Sequence, residues 1–323
     1  MISVLFPVSY FLLPIIGEKN LYVLDNTFFS LFERIHEEKV IERVVVVDFD
    51  EESVEELGGW PLQPEMFISI IESINDKKAK IIGIPILFLE KSAFVDYLTT
   101  NVNSNLVLGY LSESPGNVLC SINSHKFTGR CGYLDVLLDK SGTVLGYFPH
   151  KQQDGKHTYS FSCVLYSLYN PSDNSCLKKS FIGYKAFGRN FQRISVKEIT
   201  NENVQLEGKV VVIGTSFIRF SDRNTSSGRV GYGTLYASQL SDLVNQEEFQ
   251  YSFFLTSLMA SICFLGGLIL RKYRRYWYIA SLIILSVVSA FYGWLYGYGI
   301  SLFFLLIYFA FGVVFASVMP KKR

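Results

Sequence analysis

Two kinds of apolar pattern divide the chain. In the first, short apolar runs alternate with amphipathic stretches. "RVVVVDF" (43–49) is an unbroken β-branched run, the pattern of a strand buried on both faces. In "PEMFISIIESINDKK" (64–78), Phe67, Ile70, Ile71 and Ile74 fall on one helical stripe, with Pro64 near its start. "AKIIGIPILF" (79–88) reads as a second apolar strand. Strand, helix, strand at this spacing predicts a parallel, right-handed βαβ unit. Further strands are expected at 105–111, 117–122, 142–148, 179–184 and 208–216, and helices at 24–38, 158–169 and 233–246. The expectation over residues 18–250 is one α/β domain, with a mostly parallel central sheet and flanking helices.

The second pattern is continuous. Residues 253–270, 277–295 and 300–319 carry no charge, and each is long enough for a helix to cross the hydrocarbon layer. Tyr and Trp gather near their ends. Between the first two lies "RKYRR", with Arg271, Lys272, Arg274 and Arg275; the last two are joined by "YGYG" (296–299), without a cation; Lys321, Lys322 and Arg323 close the sequence. Positive loops remain in the cytoplasm. A three-helix transmembrane region over 251–320, a cytoplasmic basic tail at 321–323 and an extracytoplasmic domain at 18–250 follow. Residues 1–17, apolar over "MISVLFPVSYFLLPII", are read as an N-terminal anchor or a signal-like segment. The lipid bilayer is thus an expected partner, and the expected place is the inner (cytoplasmic) membrane. Ser257 and Ser261, one helical turn apart with Gly266 and Gly267 following, read either as a packing seam that would also serve a homo-oligomer or as ordinary small-residue usage in a membrane helix.

The net charge of +1 gives no field for nucleic acid, which is excluded as a partner. Four cysteines, Cys120, Cys131, Cys163 and Cys176, fall in the exported part. They are either two local bridges, Cys120–Cys131 and Cys163–Cys176, or four free packed thiols. Their spacing matches no zinc motif, and no metal or cofactor is expected.

The candidate chemistry lies in "VVVVDFDEESVEELGGWPL" (44–62). Asp50 leaves the carboxyl end of the first strand, where open α/β sheets bind ligands. With Ser53, Trp60, Ser216 and Asp222 it would line a small pocket for a hard cation or an amine. The competing reading is local. Asp50 caps a short helix, Glu51 and Glu52 sit at its positive end, and Gly58 terminates it. Asp48, in mid-strand, requires a partner. "GRVGYGTLYA" (228–237) reads as a turn, or as an anion site at a helix start. His36, His125, His150 and His157 are scattered, and neither Ser53 nor Ser216 stands in a nucleophile motif, so no catalysis is expected.

An ordered set of features resembles the second type of CHASE domain, the cyclase/histidine-kinase-associated sensory extracellular domain. The set comprises Asp25 in the lead-in helix, "DFDEESVEELGGWP" (48–61), "AKIIGIPILF" and "GYLDVLLDKSGTV" (132–144). "LEGKVVVIGTSFIRFSD" (206–222) and "GTLYASQLSDLV" (233–244) complete it. Five positions that the family fills with charged or polar groups are here Pro64, Pro85, Ser141, Leu145 and Tyr236. The resemblance implies the fold, three membrane helices after it and a sensory role; the lost charges argue against inherited ligand chemistry. Family members commonly carry a cytoplasmic output domain, and none follows Arg323 here. A stand-alone module signalling through a separate partner is therefore expected; the alternative is a structural subunit of a cell-envelope complex.

Overall fold

The computed structural model describes residues 39–60, 62–86, 105–111, 130–138, 140, 142–153, 156–173, 175–176, 182–183, 189–217, 223–225, 228–245, 250–251, 256–265, 286–288, 298–299, 301 and 305–310. They fall in two compact units, one of residues 36–246 and one formed by 1–35 with 247–323.

The larger unit is built on six parallel strands: β1 (Lys39–Phe49), β2 (Ile81–Ile84), β3 (Leu106–Tyr110), β4 (Arg130–Tyr133), β10 (Arg189–Ser195) and β11 (Val210–Thr215). Their order across the sheet is β10-β1-β11-β2-β3-β4. Between β4 and β10 come β5 (Leu137–Leu138), β6 (Val144–Tyr147), β7 (His150–Gln153), β8 (Lys156–Tyr159) and β9 (Ile182–Gly183), paired antiparallel in small sheets. β12 (Arg223–Thr225) and β13 (Gly228–Val230) form a late antiparallel pair. The helices are α1 (Glu51–Glu56), α2 (Pro64–Asp76), α3 (Phe161–Tyr169) and α4 (Tyr232–Asn245).

Alternation along β1 fills both faces of the sheet. Val45, Val47 and Phe49 pack with Phe67, Ile70, Ile71 and Ile74 of α2, while Val44 and Val46 pack with the side carrying α3 and α4. All four valines are buried, as a central parallel strand requires. Pro64 occupies the first turn of α2, where its missing N–H costs nothing.

Several elements differ in extent from the sequence reading. The strand expected at 79–88 pairs only over Ile81–Ile84 and is followed by buried Pro85, which has no N–H to donate to a ladder. The helix expected from 158 begins at Phe161, because Lys156–Tyr159 pairs with His150–Gln153. Ser160 caps it by accepting the Cys163 amide at 3.3 Å. In the expected 179–184 strand only Ile182–Gly183 pairs, and the strand expected at 208–216 runs over Val210–Thr215. β4 and β10 are sheet strands that the apolar pattern does not announce. The helix expected at 24–38 and the strand at 117–122 lie outside the described residues.

Cys163 is bonded to Cys176, tying α3 to the loop after it. Cys131 is also disulfide-bonded, and Cys120 lies outside the described residues.

In the smaller unit, β14 (Gln250–Tyr251) pairs in parallel with β15 (Tyr298–Gly299). The Ser301 amide donates to Thr256 Oγ1 at 3.3 Å, and Ala260 and Cys263 pack with Leu305. Ser257 and Ser261 are both buried, and Ser261 donates back to the Ser257 carbonyl at 2.9 Å. Among the described residues no helix is long and apolar enough to cross a membrane. Of the segments 253–270, 277–295 and 300–319, residues 256–265, 286–288, 301 and 305–310 are described, and Arg271, Lys272, Arg274, Arg275, Lys321, Lys322, Arg323 and the segment 1–17 lie outside the described residues.

Candidate functional site at the carboxyl edge of the sheet

The strand order places β1 between two strands formed much later in the chain. Their carboxyl ends meet, with Asp48 in register with Ser195 on one side and Gly214 on the other.

Asp50 follows β1 and caps α1. Its Oδ1 accepts the Ser53 amide at 2.7 Å, while the Ser53 hydroxyl donates to the Asp50 carbonyl at 3.1 Å. Glu51 and Glu52 occupy the first turn, where the helix dipole favours negative charge. The helix closes with the paired bonds of a Schellman motif: Gly59 donates to Val54 at 2.8 Å and Gly58 to Glu55 at 3.2 Å. Gly58 has φ +91°, which a side chain would disfavour. The local reading of this acidic burst therefore holds.

Burial works to raise the Asp50 pKa, but the Ser195 hydroxyl, the Ser53 amide and hydroxyl, and the Lys197 charge together hold it below the ordinary carboxylate value. The Ser195 hydroxyl oxygen is itself buried. Lys197 is held against α1 through ion pairs with Glu52 and, at 3.8 Å, Glu56.

Asp48 behaves oppositely. Burial raises its pKa, against the lowering influence of the Ser216 hydroxyl and amide and of Arg193; the neighbouring Asp50 charge adds to the rise. Its carboxylate packs over Gly214, with Oδ1 3.1 Å from where a side chain there would begin. The same glycine lets α4 descend: a Cβ on Gly233 would lie 2.4 Å from Gly214 Cα. The glycines of "GRVGYGTLYA" thus include one required for helix–strand contact, and its first residues, Gly228–Val230, are strand β13 rather than turn.

Trp60 borders this edge at 37% exposure, its ring against Phe49 and Phe217 at centroid distances of 5.9 and 5.4 Å. Ser216 is exposed, and its amide donates to the Phe49 carbonyl at 3.1 Å. Of the five residues singled out from the sequence, Asp50, Ser53, Trp60 and Ser216 are described at the ends of β1 and β11, and Asp222 lies outside the described residues. Sequence reasoning did not include Arg193 and Ser195 of β10, or Lys197 just after it, since that strand was not recognised. Among the described residues no group of three His, Cys, Asp or Glu side chains is placed to hold a metal ion.

The edge thus presents two carboxylates of opposed acidity, two cations, hydroxyls and an accessible indole. That mixture suits reversible binding of a small polar molecule.

The CHASE2 domain family model matches residues 4–270. The chain belongs to the CHASE2 domain family. CHASE2 domains are extracellular sensory domains, and the match covers both the parallel sheet and the polar edge. No curated protein and no solved structure matches the chain. Within this CHASE2 domain, three of the positions read from the sequence as departures from the family pattern are buried. Pro85 and Leu145 are buried, and Tyr236 is buried with its hydroxyl donating to the Leu134 carbonyl.

Proposed function

We propose that this protein is a membrane-anchored sensory module whose CHASE2 domain lies outside the cytoplasmic membrane and binds a small polar ligand at the carboxyl edge of its sheet. It catalyses no reaction of its own and passes the bound state through its membrane segments to a separate signalling protein. The observation that carries the sensory reading is the convergence of Asp48, Asp50, Ser53, Ser195 and Ser216 on that edge, in a domain of a sensory family. Asp222 joins the ligand set by sequence position.

The membrane arrangement has separate support. β14 precedes the first apolar segment, and β15 lies in the joint between the second and third. Two segments that start in one layer, separated by a full return crossing, agree with three spans and a cation-bearing joint at 271–275 in the cytoplasm. Reporter fusions at positions 150 and 273 test this. Opposite sides of the membrane are expected, and matching signals overturn it. For the ligand, thermal-shift screening of small polar compounds should find one whose stabilisation disappears in Asp50→Asn and Asp222→Asn. A ligand that stabilises both variants as well as the parent binds elsewhere.

A structural envelope subunit is the second reading, favoured by the apolar replacements Pro85, Leu145 and Tyr236. Pull-down in mild detergent separates the two. A cytoplasmic kinase, cyclase or phosphatase supports sensing, and envelope-assembly proteins alone support the structural role.

A further inference from the structure

Outside the carboxyl edge, the β7–β8 hairpin brings together two side chains that look unrelated in the sequence. His150 pairs with Tyr159, and Gln152 with His157. Alternate residues of a strand share a face, so His150, Gln152, His157 and Tyr159 lie together on one side of the hairpin. Lys151 lies on the other, bound to Asp135 at 2.6 Å. Lys151 therefore does not compete for the His150 face.

The two imidazole rings are 6.3 Å apart between centroids, inclined at 60°. His157 is exposed and His150 half-buried. The Nδ1 atom of His150 is shielded from solvent and has no hydrogen-bond partner. A buried nitrogen left in that state calls for a water or an ion. Metal–nitrogen bonds of about 2.0–2.1 Å set two rings that share one ion about 5 Å apart between centroids. The present separation exceeds that by about 1 Å, which rotation of the exposed His157 side chain can close.

We propose that His150 and His157 form a two-imidazole site for a borderline divalent transition ion such as copper(II), nickel(II) or zinc, with water filling the remaining positions. Imidazole is a favoured ligand for each of these ions. Among the described residues no third His, Cys, Asp or Glu side chain joins the pair, so the ion is exchangeable and not a folding element. Only neutral imidazole ligates, so acid displaces the ion. The site is independent of the ligand edge and of its function.

The test uses the full chain without an affinity tag, in detergent micelles, dialysed against copper(II), nickel(II) or zinc alone. One ion per chain is expected, and the copper(II) spectrum should show coupling to two nitrogens. His157→Asn, at an exposed position, should weaken binding by at least about tenfold, the lower end of what even an outer-shell partner supplies. Its melting temperature without metal should equal the parent's. His150→Asn should behave alike, and His36→Asn and His125→Asn should change nothing. No retained ion, binding unchanged in His157→Asn, or an equal loss in His36→Asn each overturns the proposal.

Discussion

The Oδ1 atom of Asp50 lies 2.7 Å from the amide nitrogen of Ser53, so the same carboxylate that borders the polar edge also starts helix α1. Asp50→Ala should therefore cost about 1 kcal/mol of stability, the usual worth of an N-cap. Asp50→Ser should restore most of it while leaving any ligand effect impaired. Urea unfolding of the two variants separates capping from binding: equal destabilisation by both would show that the cap contributes nothing.

The two neighbouring aspartates respond to pH in opposite senses. Asp50 has a lowered pKa, so its contribution to stability is present above the ordinary carboxylate value and fades as pH falls through its own. Asp48 has a raised pKa, so its favourable contribution exists in acid and is lost as pH rises through its folded value. Relative to the parent, Asp48→Asn should gain stability between about pH 3 and pH 7 and Asp50→Asn should lose it, around the reference carboxyl pKa of about 3.9. Denaturation midpoints across that range decide. Parallel curves for both variants contradict the assignment.

Gly233 meets Gly214 with no room for a side chain, a Cβ there falling 2.4 Å from backbone. Gly233→Ala should push α4 away from β11 and destabilise the domain by about 1–3 kcal/mol, the range for overpacking. Gly208, with φ +72° and open space around it, makes the comparison. Gly208→Ala strains only the backbone, so its penalty should come without altered core packing. Near-ultraviolet circular dichroism distinguishes the two.

The Cys163–Cys176 bond closes a loop with a sequence separation of 13. Replacing both by Ala should lower stability by about 3 kcal/mol on the loop-closure scale. Reductant should lower the parent's melting curve by more than the double variant's, in which the Cys131 bond is left to reduce. A double variant that melts with the oxidised parent would remove the bond from the stabilising set.

The central strand was readable because Val44–Val47 is buried on both faces and needs no alternation. The acidic burst was readable as a helix start because capping is local chemistry, complete within Asp50–Gly59. β10 was not readable. It contributes Phe191 to one core and Ile194 to the other, leaving Gln192 and Arg193 exposed between them, so no face shows a repeat. With β10 hidden, the Arg193 charge beside Asp48 was hidden too. His150 and His157 appeared scattered because they meet only across a hairpin. The Asp154-Gly155 pair between alternating residues is the signal that could have joined them.

The position of β1 between β10 and β11 also orders events as the polypeptide is made. The strand that emerges first receives its two lateral neighbours last, from residues 189–195 and 210–215. Until then its valine run stands with both hydrogen-bonding edges bare, the condition that invites intermolecular pairing. Synthesis halted ahead of residue 210 should therefore yield insoluble product, and assembly of the domain should be slow and sensitive to holdase chaperones.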